Sequence, residues 1–219
     1  MKRVLIAIVA VIASAFVLYK VAYPTYTHRY RLTIAIEVDG KVYRDSSVIE
    51  VSWIGQPKFG DAPPFISSVR GQAPFIDLGS RGALAAALHS SNFGGKFVSA
   101  NILAMRAFGI DGGPDAYRRI SQENGRRDLT ADNLPMFILF SDVANAETAR
   151  AGHIGYLFDS TARLVEANVE ITRDPIVIDL DRKLPWYQAL AARQKAGQGG
   201  LSMPGQFGLS YNMLVGADS

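Results

Sequence analysis

Three histidines, His28, His89 and His153, are the only imidazoles in this sequence, and wide gaps separate them. Histidine is the usual base for proton transfer near neutral pH. Serine hydrolysis needs a hydroxyl on a tight turn beside such a base, yet the chain holds no G-x-S-x-G and no S-x-x-K. A Ser–His pair such as Ser90 or Ser91 with His153 is formally possible, and a surface or hydrogen-bonded histidine is the simpler reading. Cysteine is absent, which removes thiolate zinc sites, iron–sulfur ligation, cysteine nucleophiles and disulfides. No H-E-x-x-H or H-x-x-x-H occurs either, so a metal would lean on carboxylates. Asp179 and Asp181 flank Leu180 at strand spacing and could face one hard cation. A solvated strand end beside Arg182 and Lys183 explains them more simply. Asp111-Gly112-Gly113-Pro114-Asp115 resembles a calcium loop but lacks a closing glutamate, and Phe93-Gly94-Gly95-Lys96 lacks P-loop spacing. None of these patterns calls for a cofactor.

Two groups remain as candidate interaction surfaces. Arg118, Arg119, Arg126 and Arg127 form the one basic cluster, diluted by Glu123 and Asp128. The first two fall on a short helix and the second two just past its end, where cations suit the helix dipole. Lipid headgroups or an acidic partner could use them, against a solvated face as the plain alternative. Trp186 and Tyr187, just inside a helix after Pro185, either cap the core or mark a docking surface.

The elements that must position these residues begin with an apolar leader. Lys2 and Arg3 precede Val4 to Tyr19, Lys20 interrupts, and Val21 to Tyr23 extend the run to Pro24. At ~1.5 Å per residue, residues 4–23 span about 30 Å, the hydrocarbon thickness of a bilayer. Lys20 can snorkel, and Tyr19 and Tyr23 suit the interface. A cleaved signal peptide competes, with Ala13-Ser14-Ala15 as its cleavage site. The apolar Phe16, Val17 and Leu18 beyond that site favour a retained anchor over residues 1–24. Lys2 and Arg3 favour an N-inside arrangement, although Lys20, Arg29 and Arg31 crowd the other flank. Three of the 23 basic residues lie in the first 20 positions, so the remainder is balanced against the 20 acidic ones. The body is therefore formally neutral and carries no charge argument for nucleic acid.

Behind the anchor, residues 25–197 read as one globular domain and 198–219 as a loosely ordered tail. Leu32, Ile34, Ile36 and Val38 alternate with polar neighbours, Asp39-Gly40 supplies a hairpin turn, and Ile49, Val51 and Trp53 share a face of the returning strand. That strand could break near Asp45-Ser46-Ser47. Gly55 to Pro64 reads as a loop. Pro74 to Leu78 and Ala83 to Leu88 read as a second hairpin around Gly79-Ser80-Arg81-Gly82, although propensity alone would make the alanine-rich arm helical. The pattern then predicts helices over Phe97–Phe108 and Pro114–Asn124, and a buried strand over Met136–Phe140. A strand follows over Ala162–Thr172 through Leu164, Ala167, Val169 and Ile171, with a partner over Ile176–Leu180. The last helix covers Pro185–Lys195. Strands grouped around a central helical insertion give an α+β fold, mainly antiparallel β.

Three stretches, Tyr30 to Val51, Leu134 to Thr148 and Glu170 to Trp186, together resemble an uncharacterised group of small membrane-anchored proteobacterial envelope proteins. The resemblance covers about a quarter of the chain and implies an anchored envelope domain with no assigned activity. The expectation is a non-catalytic domain, single-pass in the bacterial inner membrane through residues 4–23, with its globular part in the periplasm, binding a partner protein of the envelope or supporting an assembly. An envelope hydrolase without a linear motif and a secreted protein after signal cleavage are the alternatives.

Overall fold

The computed structural model describes residues 2–91, 97–159, 161–198, 200–203 and 207–216. The apolar leader forms α1 (Lys2–Ala22), and two residues later the chain enters β1 (Thr25–Val38). Asp39 and Gly40 adopt the positive φ values (50° and 77°) that a two-residue hairpin turn demands, and β2 (Lys41–Gly55) returns along the full length of β1. No break occurs at Asp45-Ser46-Ser47, because the Asp45 carboxylate accepts a bond from the Phe75 amide at 2.7 Å while the ladder continues.

This hairpin is the centre of a six-stranded antiparallel sheet. β3 (Phe65–Gln72) pairs with β2, and β11 (Ala162–Ile171) pairs with the other edge of β1. A four-stranded antiparallel sheet lies against it, built from β4 (Phe75–Asp77), β5 (Ala83–Ala86), β9 (Phe137–Phe140) and β10 (Ala149–Gly152). The alanine-rich arm is indeed a strand. It sits between β4 and β9 with all four residues buried, so tertiary pairing overrides alanine's helix preference. One core joins the two sheets and the helices α2 (Ala100–Ala107) and α3 (Pro114–Ile120), with Tyr30, Ile34, Ile36 and Phe140 fully buried in it. The chain is thus an α+β protein with an N-terminal apolar helix.

Four expectations need correction. Phe97–Ser99 is not helical but forms β7, paired with β6 (His89–Ser91), and the helix begins only at Ala100. The Pro114 helix ends at Ile120, and Gly125 at φ 86° starts β8 (Gly125–Asp128), which takes the open edge of β11. Residues 172–179 form no strand; Leu180 instead opens the one-turn helix α5 (Leu180–Lys183), held because the Gln72 carboxamide accepts the Asp179 and Leu180 amides at 2.7 and 3.1 Å. The tail is not loose where described. β12 (Leu201–Met203) and β13 (Phe207–Leu209) pair with each other, and α7 (Tyr211–Leu214) follows. β14 (Val215–Gly216) then joins the edge of β3, and Leu209, Leu214 and Val215 are buried.

The β4–β5 turn carries a steric requirement. Gly82 has φ 86°, and a Cβ there would strike the Phe140 carbonyl oxygen of the neighbouring strand. Gly79, in the same turn at φ 64°, faces open space. Gly82→Ala is expected to destabilise the protein by about 3 kcal/mol or more, and Gly79→Ala by only about 1 kcal/mol. Urea unfolding of the two variants checks this, and equal costs would contradict it.

Candidate functional site

A polar concavity arises where a strand stops. The last register pair between β1 and β11 is Tyr30 with Ile171, and Thr172 donates its amide to the Arg29 carbonyl at 3.0 Å. Residues 25–29 therefore have no β11 neighbour, and the notch is closed instead by residues 121–124 following α3. The result is a cleft of about 630 Å³ lined by His28, Arg29, Glu50, Glu123 and Arg173 among others.

Two of those side chains are fixed by their surroundings. Glu50, 8% exposed, accepts from Arg29 Nε at 2.6 Å and from Arg70 Nη1 at 3.3 Å, so it is an anion clamped by two cations. His28 is 5% exposed on the core side of β1, beside the Tyr30 ring at 6.2 Å between centroids. Neither of its ring nitrogens has a hydrogen-bond partner among the described residues. Burial pushes its pKa down to about 4, so the ring is neutral at physiological pH. The cleft can hold a polar group, but among the described residues no hydroxyl is hydrogen-bonded to the imidazole to make a nucleophile and base.

A serine and a histidine do meet elsewhere in the fold. Ser99 Oγ lies 2.7 Å from His89 Nδ1 and 2.5 Å from Asn101 Oδ1, and Asn101 Nδ2 donates to Ser67 Oγ at 3.0 Å. A hydroxyl has one proton; with that proton directed to Asn101, His89 must donate from Nδ1 rather than accept. Ser99 is also 3% exposed. The chain of bonds ties β7, α2 and β3 together and leaves no reactive hydroxyl. Its signal in the sequence was the β6–β7 register, which nothing in the local pattern announces.

His153 has a capping role, its Nδ1 accepting the Tyr156 amide at 3.1 Å to start α4 (Ile154–Leu157). The side chains of Ser90 and Ser91, and residues 93–96, lie outside the described residues. Asp179 accepts from Gln72 at 2.7 Å and pairs with Lys183 at 3.2 Å; the Gln72 bond chiefly holds its pKa below the usual carboxylate range. Asp181 does not join it. Among the described residues no three carboxylates or histidines converge on a metal position. Asp115 pairs with Arg118 at 3.0 Å, and Pro114 takes the first position of α3, so the glycine-rich stretch starts a helix.

The four arginines lie on two elements, α3 and β8. Arg118 and Arg119 are exposed on α3. Arg126 and Arg127 lie on β8, not beyond a helix end, and successive strand residues point to opposite faces. Arg126 pairs with Glu166 at 2.7 Å, while the Arg127 guanidinium sits 4.8 Å from the Phe108 ring centre. Trp186 caps the core: its Nε1 donates to the Val143 carbonyl at 3.0 Å and its ring lies 5.6 Å from Phe140. Tyr187, at the start of α6 (Tyr187–Lys195), is buried.

The His28 environment has a pH signature. A folded-state pKa of about 4, below the 6.5 of a free imidazole, means the unfolded chain binds the proton more tightly. His28 thus contributes stability that is present above about pH 6.5 and lost as pH falls towards 4. Urea titrations over that range are expected to show a loss of about 3 kcal/mol from this residue, with His89, also lowered by burial, adding to it. His28→Phe should flatten its share and leave the protein more stable at pH 5; an unchanged pH profile would contradict the assignment. Compared with the models of known protein families, with curated proteins and with solved structures, the chain matches none.

Proposed function

We propose that this chain is a single-pass membrane protein of the bacterial envelope, inserted in the inner membrane through α1. Its α+β body faces the periplasm as a non-catalytic module that binds a protein partner. The observation that carries the reading is the bareness of α1. The body buries a continuous apolar core, yet none of the apolar window of this 21-residue helix is buried against it. Val11, Leu18 and Val21 are 69%, 69% and 74% exposed. In water that surface would be a strong aggregation liability; in lipid it has the length and composition to span the hydrocarbon.

Retention is favoured over cleavage by where the helix ends. A cut after Ala15 would leave Phe16 to Ala22 as an exposed apolar stub two residues from β1. The partner half of the proposal is supported by the outer face of the six-stranded sheet. Arg44 and Glu166, Arg163 and Glu37, and Arg31 and Asp174 pair across it. A surface whose arginines already hold carboxylates suits a protein of mixed charge rather than a polyphosphate.

Full-length protein is expected to stay in the membrane pellet under alkaline carbonate and to keep its original N-terminus by mass spectrometry. Release into the supernatant with an N-terminus after Ala15 would overturn the anchor. A partner recovered in mild detergent by the wild type should be lost with the double variant Arg44→Glu, Arg163→Glu; recovery unaffected by it would overturn the outer face as the binding surface.

A further inference from the structure

We propose that the loop joining β2 to β3, residues 56–64, is a second membrane contact, seating Phe59 in the lipid interface beside α1 with Lys58 at the level of the headgroup phosphates. This rests on α1 being the anchor, and it follows from the lack of slack between helix and sheet. Only Tyr23 and Pro24 separate α1 from β1, and Tyr23 still donates its amide to the Tyr19 carbonyl at 2.8 Å. Two residues reach about 7 Å at full extension. Each headgroup layer is itself about 5–8 Å thick, so the start of β1 stays within or at the edge of it.

The antiparallel ladder then brings the end of β2 to the same level. Thr25 is opposite Ile54, and Gly55 donates its amide to the Pro24 carbonyl at 3.0 Å. The approach is so close that a Cβ on Gly55 would stand 2.8 Å from Pro24 O and 3.0 Å from Tyr23 C. The loop therefore starts against the helix end, continuing the chain beyond β2 at that level.

The loop has a built shape. Its neck is closed by Gln56, whose amide donates to the Pro64 carbonyl at 3.0 Å and whose side chain donates to the Pro63 carbonyl at 2.8 Å. At the tip, Ala62 donates to the Phe59 carbonyl at 3.1 Å over Gly60 at φ 56°. Pro57, Pro63 and Pro64 restrict the rest. This rigid turn holds Phe59 outward at 78% exposure, the most exposed large apolar side chain among the described residues. Lys58 precedes it, also exposed, and Asp61 on the returning arm cancels its charge, so the aromatic ring and not net charge makes the contact. Around this level the Tyr19 and Tyr23 rings lie 5.0 Å apart, and Tyr26 stacks on Phe65 at 6.1 Å. Aromatic rings gathered at the end of a spanning helix are what a membrane interface selects.

The absence of cysteine permits a direct test on the full chain reconstituted in phospholipid vesicles. Phe59→Cys, Val11→Cys and Val42→Cys each carry a nitroxide, read by collision with oxygen, which partitions into lipid, and with a water-soluble nickel chelate. Val11 is within α1, and Val42 is at the far end of the hairpin. The label at 59 is expected to meet the nickel chelate several-fold less often than the label at 42 and to meet oxygen more often. A lipid-like signal at 11 with a water-like signal at 59 would overturn the loop contact and leave the anchor standing. Water-like signals at both 11 and 59 would overturn the anchor and the loop contact together.

Discussion

The alternation of β1 governs this structure. Even-numbered residues from Tyr26 to Val38 face the core, while Thr27, Arg29, Arg31, Thr33, Ala35 and Glu37 face outward, and both edges of the strand are paired over most of its length. Because strand side chains repeat every two residues, slipping either neighbour by one would send its apolar set into water. The one irregularity preserves this phase. On β11, Ile34 pairs with Ala167 but Ile36 pairs with Leu164, so Val165 is left over and 44% exposed. The bulge lets Leu164 and Ala167, of opposite parity, both face inward.

The outer face follows from the same alternation. Ala35 is paired with Arg44 on one side and Glu166 on the other, and those two side chains meet across it. Its methyl group is small enough to lie under them, which is why an apolar residue on the outer face has no exposed surface. Glu166 also takes Arg126 from β8, and Glu50 joins Arg29 to Arg70 across β1, β2 and β3. Glu166 thereby links strands far apart in sequence, whereas Glu50 ties three consecutive ones. Exposed pairs of this kind add little stability singly, so their weight lies in fixing register and covering small residues.

Much of this was legible because local pattern and tertiary role agree. Leu32 to Val38, Asp39-Gly40 and Ile49 to Trp53 specify a hairpin without outside help, and the leader specifies a helix by composition alone. The misses occur where distant partners decide. Ile176 to Leu180 has strand composition, but Gln72, more than a hundred positions earlier, takes its amides and turns Leu180 into a helix. Val177 and Ile178 are left exposed at 60% and 49%. Arg126 and Arg127 follow a helix and lack strand propensity, yet the free edge of β11 recruits them. The cleft at His28 was illegible for another reason: it is made by where β11 stops, and an ending fixed by a partner strand leaves no local motif.

The glycine-rich C-terminal stretch shows how the sheet is finished. β14 adds only two residues to β3, where Gly71 and Gly216 permit a backbone approach that any side chain would block: a Cβ on Gly216 would stand 2.6 Å from the Val69 carbonyl oxygen. At the opposite edge β8 contributes four exposed residues, two of them arginines. Both edges are therefore short, and one is charged, which limits strand addition by a second copy. Joining the β3 edge also carries the preceding α7 onto the core. It also explains why a segment with no hydrophobic period carries buried residues. Leu88 and Ala73 donate their amides to the Met213 and Leu214 carbonyls at 2.8 Å each, so α7 is held at once by residues bordering both sheets.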